Sequence, residues 1–139
     1  MTPYAQVLIA LCCWREARGE GAAGMRGVAW VIRNRAAKPG WWGHSLAEVV
    51  TCKNQFSSLT AHGDLQLGLW PAETDPRWLQ ALQSAQEAIL VDIPEQDPTQ
   101  GATYYYDATL DNHPPSWATD GRTVHTVNIG RLRFLKETA

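Results

Sequence analysis

Two apolar helical segments separated by a glycine-rich break constrain the fold of this chain more than any other feature. The first runs from about Pro3 to Ala17, with proline suited to the first turn and Val7, Leu8, Leu11 and Trp14 on one face. Gly19 and Gly21 interrupt it. The second fits Ala22 to Ala37, where Met25, Val28, Ala29 and Ile32 form one stripe and Arg26, Arg33 and Arg35 point outward. The apolar run Ala5 to Trp14 lacks the basic region of a signal peptide and is too short to span a bilayer. It reads as a buried helix, and no membrane insertion is expected.

Ser45-Leu46-Ala47-Glu48 is a capping box that opens a short third helix. Residues 52–73 look irregular, with Gly63, Gly68 and Pro71 interrupting any period. Asp75-Pro76 opens a helix that reaches about Leu90 through Trp78, Leu82, Ala85 and Ile89. The last third changes character. Thr103 to Tyr106 is a strand candidate, Asp120-Gly121 marks a turn before Arg122 to Val127, and Arg131 to Leu135 alternates as a strand with one wet face. The predicted class is α+β, mainly α, with a small C-terminal antiparallel β element, in a single domain over residues 1–139.

Composition narrows the function classes. Apolar residues make up 45% and charged residues 19%, which suits a globular core. The net charge of −2 argues against a generally basic nucleic-acid binder, and no nucleic-acid partner is expected. Charge is uneven: residues 1–53 carry seven Lys/Arg and three Asp/Glu, residues 54–111 one and nine, and residues 112–139 four and two. Solvated surface is the simplest account of that split. Cys12, Cys13 and Cys52 are an odd set without a CxxC, and read as free thiols of a reducing compartment. The chain is therefore expected to be made in the cytoplasm, without a signal peptide, any export needing help.

The stretch Trp14-Arg15-Glu16-Ala17-Arg18-Gly19-Glu20-Gly21 carries the chemistry. Glu16 falls at the end of an apolar helix, where burial and the negative helix end both raise a carboxyl pKa. A glycosidase needs such an acid to protonate a leaving oxygen. Arg15 and Arg18 act the other way if they pair with it, and on these residues alone a helix-end salt-bridge cluster is the simpler reading. Seven Trp and four Tyr also suit a sugar groove, since their faces stack on pyranose C–H surfaces. The candidates for that role are Phe56, Tyr104, Tyr105, Tyr106 and Trp117. Strand alternation puts Tyr104 and Tyr106 on one side and Tyr105 on the other. Trp30 and Trp78 are expected in the core, and Trp41-Trp42 either packs down or touches the substrate.

The block Glu16-Ala17-Arg18-Gly19-Glu20 leads into Gly24-Met25-Arg26-Gly27 and an apolar helix that closes on Asn34-Arg35. Gln55-Phe56-Ser57, Gly101-Ala102-Thr103-Tyr104-Tyr105-Tyr106 and Ile129-Gly130 with Phe134 follow. In this pattern the chain resembles the cell-wall hydrolase family of the spore cortex-lytic enzymes and related phage endolysins, over about residues 5–135. It departs from those spore enzymes between Phe56 and Pro76, and has Arg131 where the family often has histidine. The resemblance implies a lysozyme-like, lytic transglycosylase-like domain that cuts peptidoglycan glycan strands, with Glu16 as general acid/base. On that reading Gln55, Ser57 and Tyr104 or Tyr105 position sugar and N-acetyl groups, and Glu20, Arg18 and Asn34 support the site. Lytic transglycosylation needs one carboxylate; hydrolysis needs a second, for which Asp64, Glu73 and Asp107 are candidates. No metal or cofactor is implied, and the expected assembly is a monomer, with a phage lysis enzyme as the expected setting.

Three rivals accompany this reading. A zinc peptidase would draw on His44, His62, His113 and His125, but no HExxH is present. A cysteine amidase would draw on Cys52, which follows a short helix rather than starting one. A glycan-binding module would use the same aromatics without cutting.

Overall fold

The computed structural model describes residues 3–52, 55–90 and 94–138. Its helical base comprises α1 (Pro3–Ala17), α2 (Gly21–Ala37), α3 (Leu46–Thr51), α4 (Ser57–Thr60) and α5 (Pro76–Leu90), with a one-turn α6 (Ser116–Thr119) further on. Strands β1 (Tyr104–Asp107), β2 (Thr123–Ile129) and β3 (Leu132–Glu137) complete it. The chain thus has the mainly helical α+β class expected of it. Among the described residues no helix is long and apolar enough to cross a membrane.

Helices α1, α2 and α5 pack on one another. Ala81, Ser84, Ala85 and Ala88 of α5 are buried at this contact, and such small side chains let helix axes approach closely. Trp78, Leu82 and Ile89 flank it, half-buried against the core. In α2 the predicted stripe of Met25, Val28, Ala29 and Ile32 is fully buried. In α1 the pattern is broader than a stripe. Val7 is exposed, whereas Ala5, Ile9, Cys12 and Cys13 are buried together with Leu11 and Trp14. The cause is crowding: α1 touches α2, α3, α4 and α5, so its second half is enclosed on several sides. The Ser45 capping box forms, with Ser45 Oγ accepting from Glu48 N at 3.2 Å and Glu48 Oε2 accepting from His44 N at 2.7 Å.

Arg35 corrects an expectation. It does not point outward but is 5% exposed. It lies seven residues after Val28 and so continues the buried stripe. Its Nε donates to the Thr103 carbonyl at 2.6 Å, which ties α2 to the start of β1. The preceding Asn34 donates to Asp97 Oδ2 at 2.7 Å and to the Ala102 carbonyl at 2.9 Å. Asp97 in turn accepts from Thr99 N, Thr99 Oγ1 and Gly101 N. The Asn34-Arg35 pair therefore sets where the first strand begins.

The antiparallel sheet has the order β1-β3-β2, with Tyr105 opposite Phe134 and Ile129 opposite Leu132. Leu132 and Phe134 pack into the helical core. Gly27 of α2 makes this possible: a Cβ there would fall 2.7 Å from Phe134 Cζ. Leu135, on the opposite face of the central strand β3 between Tyr104 and His125, is buried as well. At the β2–β3 turn Gly130 has φ +56, and Glu20 Oε2 accepts from Arg131 N at 3.0 Å.

Candidate active site

Glu16 sits in the last turn of α1 and is half-buried. Its Oε1 accepts from Ser58 Oγ at 3.0 Å and from Ser58 N at 3.4 Å. Burial pushes its pKa above the ordinary glutamate range; the Ser58 bonds oppose that rise and the nearby charge of Asp64 adds to it. The salt-bridge alternative does not form among the described residues. Arg15 turns to the Leu69 and Ser58 carbonyls, at 3.0 and 2.9 Å. Arg18 turns to the Trp14 carbonyl and Gln66 Oε1, at 3.0 and 2.7 Å.

Glu16 opens on a cavity of about 480 Å³ lined by Arg35, Trp41, Gln55, Phe56, Tyr104, Tyr105, Trp117 and Arg122. The helical base supplies one side and the sheet the other. Tyr104 lies against Trp117 with ring centroids 4.9 Å apart, and Trp42 meets Tyr104 edge-on at 6.0 Å. Trp42 is buried, with its Nε1 donating to the Arg35 carbonyl, while Trp41 is 62% exposed. Trp42 of this pair thus packs down, while Trp41 lines the cavity. Arg35 underlies this wall, its Cζ 5.3 to 5.5 Å from the rings of Trp42, Phe56 and Tyr104, and its Nη1 donates to Gln55 Oε1 at 3.2 Å. Burial raises the Tyr105 phenol pKa well above its ordinary value, and the charge of Glu16 adds to the rise.

Of the residues proposed from sequence, Glu16, Gln55, Phe56, Tyr104, Tyr105 and Trp117 line this cavity. Phe56 is buried, so it shapes the floor rather than offering an open face. Tyr106 does not line it; its ring stands 6.1 Å from Trp117. Glu20 does not line it either, because its carboxylate is spent on the β2–β3 turn. The side chain of Ser57 lies outside the described residues. Tyr104 and Tyr106 share Trp117 as a neighbour while Tyr105 packs on Phe134, as strand alternation requires. Sequence reasoning missed Arg35, Arg122 and Ser58. The stripe through Val28 and Ile32 was a usable signal for Arg35. Ser58 had none, since its role depends on how a distant loop returns to α1.

The rival chemistries find little support in this geometry. Among the described residues no three metal-ligating side chains converge. The cavity lining contains no histidine, and Cys52 caps the end of α3 with its Sγ 3.9 Å from the Trp41 carbonyl.

A carboxyl whose pKa burial raises thus stands at the end of a core helix and faces an aromatic wall, in a mainly helical fold of the lysozyme-like class. The Cell Wall Hydrolase family matches residues 19–135, and the chain belongs to that family. It is similar to the catalytic domain of the germination-specific lytic transglycosylase SleB from Bacillus anthracis, at 25% identity and a TM-score of 0.71, covering 98% of this chain and 97% of that one. It is similar also to the catalytic domain of the Bacillus cereus SleB protein, at 26% identity and a TM-score of 0.72, covering 98% and 92%. No curated protein matches the chain. The family match begins at Gly19, beyond Glu16, so the place of Glu16 rests on the geometry of the cleft and on the sequence resemblance.

Proposed function

We propose that this cell-wall hydrolase cleaves the β-1,4 bond between N-acetylmuramic acid and N-acetylglucosamine, with Glu16 as general acid/base. Family membership makes it a peptidoglycan-degrading enzyme. One observation carries the finer reading: among the described residues, Glu16 is the single carboxyl lining the cavity. It protonates the glycosidic oxygen and then, as carboxylate, takes the proton of the muramic C6 hydroxyl as the 1,6-anhydro ring closes. Asp107 is held by Arg131 and by Thr109 N, away from the lining. Asp64 reaches Glu16 by its charge but accepts from Gln66 N, and like Glu73 it is outside the lining. These placements favour lytic transglycosylation over hydrolysis.

Mass spectrometry of soluble products from purified peptidoglycan tests this, with Glu16→Gln alongside. Ends of 1,6-anhydromuramic acid, lost in the variant, are expected. Reducing muramic ends would turn attention to Asp64 as a second carboxylate, and cut peptides with intact glycans would sink the reading.

The resemblance to phage endolysins supports a narrower proposal: a monomeric lysis enzyme, made in the cytoplasm and acting on the wall. Expressed in a host cytoplasm, it is expected to lyse cells only when the inner membrane is permeabilised, and not as Glu16→Gln.

A further inference from the structure

The segment from Ser58 to Asp75, where the chain departs from the spore enzymes, is stapled onto the end of α1 by three side chains. Trp14 Nε1 donates to Asp75 Oδ2 at 3.2 Å, and Arg18 Nη1 donates to Gln66 Oε1 at 2.7 Å. Between them Arg15, 6% exposed, spans Leu69 and Ser58 with one guanidinium. The Trp70 ring centroid lies 4.9 Å from Arg15 Cζ, and Nη2 is buried without a hydrogen-bond partner among the described residues. Burying a cation on two carbonyls and a ring, with one donor unmet, is costly. Such an arrangement persists where it sets a geometry.

That geometry is the Ser58 clamp. Arg15 and Glu16 are neighbours on α1, and neighbours on a helix do not face each other. They reach Ser58 from two directions: Arg15 takes its carbonyl, while Glu16 Oε1 accepts from its N–H and its hydroxyl. Glu16 Oε2 has no such partner among the described residues, and Glu16 lines the cavity. The two carboxylate oxygens are therefore unequal.

Resting on the reading of Glu16 as acid/base, we propose that Arg15 is a positioning residue that fixes Ser58 on Oε1, so that Oε2 is the oxygen that exchanges the proton. Oε2–H gives its proton to the glycosidic oxygen as the muramic C1–O bond breaks. The C6 hydroxyl then bonds to C1 and its proton returns to Oε2, leaving the carboxyl as it began. The other titratable groups facing Glu16 are Cys12 and Cys13 of α1, Tyr105 of β1 and Asp64 of the stapled segment. Burial raises the pKa of both thiols and of the phenol, and the guanidiniums of Arg35 and Arg122 share the cavity lining with Glu16.

The test is the pH dependence of kcat and KM on soluble glycan fragments for wild type, Arg15→Met, Ser58→Ala and the double variant, with Glu16→Gln as control. In Arg15→Met, kcat is expected to fall about tenfold with KM within about twofold. Its basic limb should move to higher pH, because the bonds that favour the carboxylate are loosened. Ser58→Ala should move the limb the same way, and the double variant should add little to either. Arg15→Lys, which keeps the charge but lacks the planar fork that reaches both carbonyls, is expected to give a smaller change in the same direction, and is read instead if Arg15→Met does not fold. A folded Arg15 variant with the wild-type limb, or fully additive effects, would overturn the proposal while leaving Glu16 in place. Cutting by Glu16→Gln would instead remove the reading on which it rests.

Discussion

The sheet wall of the cleft, carrying Tyr104 and Trp117, rests on a three-strand ladder and on buried Leu132 and Phe134. The loop from Ser58 to Trp70, which lies outside the cavity lining, hangs instead from polar bonds to Arg15 and Arg18, and leaves Leu65 89% and Trp70 71% exposed. Burial is shared among many neighbours, so one lost contact in the sheet wall leaves its position defined. A loop held by a few hydrogen bonds shifts when one bond goes. The sheet wall thus gives the cleft one of its sides, while the loop brings Ser58 to Glu16.

The largest expected effect lies at Glu16, between the helical and the sheet walls of the cleft. Glu16→Gln should lower cutting by about 100-fold or more in a product assay, while glycan binding persists in a pull-down. Retained binding would also exclude collapse of either wall. Burial raises the pKa of Glu16 in the folded state, so its ionisation opposes folding. That penalty is absent below the unfolded-state pKa and complete above the folded one. Glu16→Gln should accordingly be more stable than wild type near neutrality, with the gain vanishing in acid, as urea denaturation at the two pH values would show. Wild-type cutting should fall as pH rises through the same raised pKa.

Next comes the sheet wall's anchor. Phe134→Ala should cost about 3–5 kcal/mol in urea denaturation, with activity lost in proportion to folded protein. A loss of activity without a loss of stability would break the contrast between the sheet wall and the loop. Asn34→Ala, which frees Asp97 and the Ala102 carbonyl, should cost about 2 kcal/mol and lower kcat by shifting β1. Glu20→Ala should cost about 1 kcal/mol through the β2–β3 turn and change cutting by less than about twofold. A large loss of activity there would return Glu20 to the site. The smallest stability effect is expected for Trp41→Ala, within about 0.5 kcal/mol of wild type, with KM raised about fivefold if the exposed ring carries sugar.

Local physics made much of this legible in the chain itself. Helices α2 and α5 follow from apolar spacing and from Asp75-Pro76, and the strands follow from alternation and the turn at Asp120-Gly121. Glu16 at the end of an apolar helix was visible because a helix and its terminus are properties of neighbouring residues. Tertiary structure alone decided the rest. Arg35 turns inward because the Thr103 carbonyl waits there, and Glu20 leaves the cleft because the β2–β3 turn comes within reach. Ser58 meets Glu16 across 42 residues of chain, where Arg15 also holds its carbonyl. Periodicity records which face of an element is buried. Which polar group lies beyond that face is settled by packing between segments far apart in sequence, and on that packing the proton of Glu16 depends.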